Sequence, residues 1–188
     1  MSTLKLLVAI FAVNLLAISG AVYAFAPNNT HGNLELKKVS IQKPSDDTPN
    51  LIIGKPERLL IPAAQINIDV VDGAYDPVTT KWTLSNDKAH FALMSSEANN
   101  MLGNTFIYGH NNKQVFASLY NTKIGDIANI KTVNGKVFVY KLVHSREVNP
   151  EDVSVFEYRG RPVLTIQTCS GSWYDKRKLF TFEFIEVS

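Results

Sequence analysis

Hydrophobic positions follow two different patterns on either side of residue 57. Residues 6–26, LLVAIFAVNLLAISGAVYAFA, carry no charge and follow Lys5, with Asn14 the only strongly polar side chain among them. As a helix this run would be roughly 30 Å long, the thickness of a bilayer's hydrocarbon core. It is longer than the apolar stretch of an ordinary cleavable leader, and Pro27 disfavours a cut after Ala26. The reading is therefore an uncleaved N-terminal transmembrane anchor over residues 1–26, with a leader cleaved after Ala24 or Ala26 as the alternative. Either way the rest of the chain is expected outside the cell membrane.

Residues 27–56 show no sustained period and hold Pro27, Pro44, Pro49 and Pro56 among small polar and charged residues, the composition of a flexible linker. From residue 57 to 188 the pattern is one of short strands. RLLIP and INIDVV come first, the second alternating Ile66, Ile68 and Val70 with polar partners. NTFIYG ends at Gly109, and PVLTIQT and KLFTFEFIEV are the last two runs. IANIKTV and KVFVYKLV flank Asn134-Gly135, which predicts a hairpin with a type I′ turn. SNDKAHFALMSSEA (85–98) is the best helix candidate, with Ser85 or Asn86 as its cap, and NPEDVSVF (149–156) predicts a short helical turn. Many short strands, one or two short helices and no strand–helix alternation predict a mainly β domain, a barrel or a sandwich.

Composition narrows the function classes. The chain is 45% hydrophobic and 19% charged, enough for a real core and too apolar for general disorder. The net charge is only +2 and both signs are interspersed, so no nucleic-acid-binding stripe is present. The single cysteine, Cys169, cannot form an internal disulfide, and outside the membrane a lone thiol is either buried or used.

Strand parity tests those two options. In VLTIQTC, Leu164 and Ile166 share one face, while Thr165, Gln167 and Cys169 share the other. In RKLFTFEF, Phe180, Phe182 and Phe184 mark the core face and Arg177 lies opposite them. Cys169 and Arg177 are thus expected to project together from the outer face of neighbouring strands, with Lys176 and Lys178 turned away. A nucleophilic thiol needs a base, since its ordinary pKa is about 8.5. Of the four histidines, His31 lies in the linker, His90 in the expected helix and His144 in a strand-like run. His110 alone stands where a strand gives way to a loop, directly after Gly109.

TIQTC resembles the TLxTC signature of sortases, the membrane-anchored cysteine transpeptidases of mainly Gram-positive bacteria, with Ile166 in place of the signature Leu. RLLIPAAQINIDVVDG, GNTFIYGHNNKQVFASLYNTKIGD, VYKLVHSREVNPED and KRKLF resemble further family segments, in the family's order, across nearly all of 57–188. The resemblance implies a closed or nearly closed β-barrel of about eight strands. It implies Cys169 as nucleophile, His110 as general acid/base and Arg177 as the group that stabilises the oxyanion or substrate. Thr168 and Trp173, with Tyr174, are candidates for touching substrate.

The substrate so implied is an LPxTG-like sorting signal of a secreted protein, and the acceptor an amine of the cell wall or of a pilin. No metal or cofactor is expected. Calcium activates some relatives, but no acidic cluster for it stands out here. A papain-like peptidase would place its cysteine before its histidine, and an L,D-transpeptidase would carry a Ser-His-Gly-Cys motif; neither order occurs. The chain ends FEFIEVS without an apolar segment, and Asp76-Pro77 lies after the first strand rather than before it as a lid. Both features favour surface-protein anchoring over pilin polymerisation, which remains open, as does a non-catalytic binding module with an incidental cysteine.

Overall fold

The computed structural model describes residues 50–188. The expected anchor and most of the expected linker lie outside these residues. Twelve strands follow in chain order: β1 (Ile53–Gly54), β2 (Pro56–Ile61), β3 (Ile66–Gly73), β4 (Tyr75–Asp76), β5 (Lys81–Trp82), β6 (Ala89–Ala92), β7 (Ala98–Asn99), β8 (Asn104–Tyr108), β9 (Ile127–Thr132), β10 (Val137–Val148), β11 (Val163–Ser170) and β12 (Lys176–Val187). The ordered unit therefore begins before residue 57, because residues 53, 54 and 56, expected in the linker, are already in strands.

Eight strands close a barrel in the spatial order β10, β12, β11, β8, β6, β3, β2, β9. Closure removes exposed edges, which suits a sheet built from non-sequential strands. Alternation works as expected in β3, where Ile66, Ile68 and Val70 are buried and Asn67 and Asp69 are exposed. These side chains fill the interior with Leu59, Ile61, Ile107, Phe116, Ile130, Phe138, Leu142, Leu164, Ile166, Phe180 and Phe182.

The expected helix over 85–98 is absent. Ala89–Ala92 is instead strand β6, parallel to β3 and antiparallel to β8. All four of its residues are buried, so no period of two marks it, and ladders on both sides outweigh local helix propensity. Ser85, expected as a cap, places its Oγ 2.7 Å from His90 Nε2.

The β9–β10 hairpin forms where expected but with a different turn. Gly135 takes a φ of +79° and Asn134 does not take a positive φ. Gly135 N–H donates to the Thr132 carbonyl and Thr132 N–H to the Lys136 carbonyl. The result is a three-residue loop with a left-handed glycine, not a type I′ pair.

A second apolar cluster draws on β6, β8 and β12. It joins Ala92, Phe106, Tyr108, Val155 and Leu179, with Trp82, Val148 and Phe156 packed against them. The Trp82 ring lies edge-on to Tyr108 at 4.9 Å and stacks on Phe156 at 5.8 Å. Phe156 belongs to the single-turn helix α1 (Ser154–Glu157), which overlaps the expected helical turn. The β4–β5 ribbon thereby pins the long β10–β11 connection to the barrel wall.

Asp152 secures the same connection. Its carboxylate accepts from Ser154 N–H at 2.9 Å and from Arg146 Nη1 at 3.1 Å. Ser154, through its hydroxyl and backbone N–H, and then Arg146 hold the Asp152 carboxyl below its usual range. A lowered folded value means stability present above about pH 4 and lost as pH falls through that value. Below about pH 4, amides of residues 154–157 are therefore expected to lose hydrogen-exchange protection before barrel amides do. Asp152→Asn should abolish that pH dependence.

Candidate active site

Parallel pairing of β8 with β11 places the two principal candidates. Their ladder pairs Asn104 with Val163 through Tyr108 with Gln167, a constant offset of 59 residues. His110 and Cys169 are separated by the same offset, two positions past the last ladder pair. His110 follows Gly109 off the end of β8 and Cys169 is the penultimate residue of β11, so both lie at the C-terminal ends of adjacent strands, whose spacing in a sheet is about 4.8 Å. Gly109 N–H continues the ladder to the Gln167 carbonyl at 3.1 Å. Gly109 passes under Val115 and Phe116, where a Cβ would sit 2.6 Å from Val115 Cγ1. A side chain there would push the His110 segment off the barrel.

His110 and Cys169 open into one cavity of about 440 Å³, lined also by Asn86, Asn111, Asn112 and Tyr174. Both are half-buried. The loop bearing His110 is built by Asn112, whose Oδ1 accepts from Gln114 and Val115 N–H and whose Nδ2 donates to the Asn86 carbonyl at 2.9 Å.

Arg177 pairs directly with Cys169 across the antiparallel β11–β12 ladder, so the two share a face as parity predicts. Lys176 and Lys178 pair with Ser170 and Thr168 on the other face. The Arg177 guanidinium donates Nη1 to the Tyr174 and Lys176 carbonyls, both at 2.9 Å. It borders a separate groove of about 690 Å³ and not the His110 cavity. Tyr75, Trp82, Met94, Val153 and Phe156 supply most of the apolar wall of that groove. Tyr174 takes a φ of +60°, a costly conformation for a bulky residue, and presents its carbonyl to Arg177 and its side chain to the cavity.

Two lesser candidates are placed differently from expectation. Thr168 is 1% exposed and donates its hydroxyl to the Gly109 carbonyl at 3.0 Å, so it joins the two active strands and does not face a substrate. Thr168→Val removes that bond and leaves the carbonyl unpaired in a buried place. It should lower stability by about 1–3 kcal/mol, read as a fall in the denaturation midpoint. Trp173 is 90% exposed and lines neither cavity, whereas its neighbour Tyr174 does.

Asn86, Asn111 and Asn112 carry no sequence signal beyond the Asn-Asn following His110. Tyr120 likewise escapes notice. It sits on the 3-10 turn Ala117–Asn121 and donates its hydroxyl to the Cys169 carbonyl at 3.0 Å.

Comparison with known proteins agrees with this geometry. Residues 59–182 match the family model described as the Sortase domain. A search of curated protein sequences returns no match. Among solved structures, sortase C2 of group B Streptococcus pilus island 1 superposes with a TM-score of 0.58 at 19% identity, over 69% of this chain and 73% of that one. Sortase E1 from Streptomyces coelicolor, solved with a tripeptide in its active site, gives 0.58 at 20% identity, over 72% and 90%. Listeria monocytogenes sortase A gives 0.56 at 17% identity, over 73% and 89%. With a domain match over residues 59–182, most of the barrel, and a cysteine and histidine lining one cavity at the ends of β11 and β8, this chain belongs to the sortase family of cysteine transpeptidases.

Proposed function

We propose that this chain cleaves an LPxTG-like sorting signal and transfers the carrier protein to an amine of the cell wall, working from the outer side of a membrane in which residues 6–26 anchor it. One observation carries the chemistry: Cys169 and His110 line one cavity, with Arg177 directly across the ladder from Cys169. The Cys169 thiolate attacks the carbonyl carbon of the scissile peptide bond, forming a C–S bond and a tetrahedral oxyanion. His110, protonated, gives its proton to the departing amine as the C–N bond breaks, leaving a thioacyl-enzyme. An acceptor amine then attacks that thioester, His110 takes its proton, and Cys169 leaves as thiolate.

Arg177 is the donor for the oxyanion, and its planar guanidinium can bond to an oxygen while still holding a loop carbonyl. The apolar groove beside it suits the half of the peptide that stays attached after cleavage. That half must remain bound while the leaving half clears a path for the acceptor. Cell-wall anchoring is favoured over pilin polymerisation because Asp76-Pro77 is engaged in the β4–β5 turn. Asp76 Oδ1 accepts from Val78 N–H at 2.9 Å, and the segment acts as a groove wall.

The test uses residues 50–188, which form one closed barrel. They are incubated with a library of LPxTG-like peptides and two acceptors, a cross-bridge amine and a pilin-type lysine peptide, and products are identified by mass. The reading expects ligation to the cross-bridge amine. Ligation to the lysine peptide alone supports pilin polymerisation, and thiol protection by peptides without turnover supports a binding module.

A further inference from the structure

The carbonyl of Cys169 receives two side-chain hydrogen bonds, from Asn111 Nδ2 and from Tyr120 Oη, each at 3.0 Å. Both donors come from the segment that follows His110. The parallel ladder explains why they are needed. Gly109 N–H bonds the Gln167 carbonyl, so the next rung would run from Asn111 N–H to the Cys169 carbonyl. The chain has turned away after Gly109, and the Asn111 side chain makes that rung instead. Tyr120 adds a second bond from the opposite end of the loop, its ring standing edge-on to Phe180 at 5.9 Å.

Resting on the reading of Cys169 as nucleophile and His110 as its acid/base, we propose that Asn111 and Tyr120 are positioning residues, a two-donor clamp that holds the Cys169 peptide level with His110. Without the clamp the last rung is lost, and the end of β11 and the His110 loop separate independently. The clamp also consumes the partial negative charge of the carbonyl nearest the sulfur, which would otherwise repel the thiolate formed on each turnover. Burial first, then Glu147 and Cys169 close by, push the Tyr120 phenol up, so it stays protonated and remains a donor at neutral pH. Asn111 also lines the reaction cavity, so the clamp sits where a bound peptide would press on it.

The test combines kinetics with a direct spectroscopic reading. The chain has a single cysteine, so carbonyl-labelled [13C]cysteine gives one backbone resonance, which reports the hydrogen bonds to that oxygen whether or not a peptide substrate has been found. Tyr120→Phe keeps the ring and removes the donor. Asn111→Asp keeps the shape and replaces the donor with an acceptor. Each is expected to shift the resonance upfield, the double variant most.

Each is also expected to lower kcat by about three- to tenfold with KM within twofold. Asn111→Asp should fall below Asn111→Ala, because a carboxylate repels the carbonyl where a methyl does not. An unmoved resonance in the double variant overturns the clamp itself. A moved resonance with kcat within twofold of the parent overturns its role in positioning, as does a loss confined to KM. Failure of the nucleophile assignment is distinguished by activity persisting in Cys169→Ala.

Discussion

Cys169→Ala is expected to abolish both peptide cleavage and amine ligation, a loss of about a thousandfold or more, with the barrel intact. Alanine removes the only thiol in the chain and leaves no atom able to carry the acyl group. Ser170 follows directly, but its side chain is 6% exposed and faces away from the cavity, so its hydroxyl cannot substitute. The substitution deletes one half-buried sulfur beside a water-accessible cavity, so the thermal midpoint should move little. The measurement is product mass together with trapping: the parent forms a thioacyl adduct with a slowly resolved peptide, and the variant does not. Cleavage surviving in Cys169→Ala at more than a tenth of the parent rate would refute covalent catalysis through this residue.

The second large effect is expected at His110. His110→Ala should lower kcat by about 10²–10⁴, because one side chain serves both half-reactions, first giving a proton to the leaving amine and then taking one from the acceptor. Among the described residues no other histidine can replace it. His90 is 3% exposed and held by Ser85 and the Asp72 carbonyl, and His144 is on the exposed part of β10. The about 440 Å³ cavity beside Cys169 can admit a free imidazole, so added imidazole should restore part of the rate in His110→Ala and none in Cys169→Ala. Equal responses in the two variants would remove His110 from proton transfer.

Both expectations trace to features of unequal visibility in the sequence. The facing of Cys169 and Arg177 could be read because β11 and β12 are antiparallel neighbours in chain order, joined by residues 171–175. Parity along two adjacent strands is local information. The meeting of His110 and Cys169 in one cavity could not be read in the same way. It depends on a parallel pairing of β8 with β11 across four intervening elements, and nothing local sets the 59-residue register. Only the likeness of the segments to a known family joined the two residues in advance. β6 departs from the expected helix for a related reason: Ala89–Ala92 is buried on both faces and carries no alternation, so its ladders, not its residues, make it a strand. Asn111 and Tyr120 were silent because they act on a backbone oxygen, and any residue type can offer one.

The spatial order of the barrel has a consequence for how the molecule comes into being. β12 lies between β10 and β11, yet it is the latest of the eight strands in the chain. During synthesis every other wall of the barrel is available while this gap stands open, with an unpaired edge on each side. β10 and β11 cannot be joined until residues 176–187 arrive, and closure then rests on contacts between distant parts of the chain, which form slowly. A chain stalled before residue 176 already contains His110 and Cys169 but lacks the strand that holds Cys169 against Arg177. Cys169 is therefore brought against Arg177 only once residues 176–187 have been made and have closed the barrel.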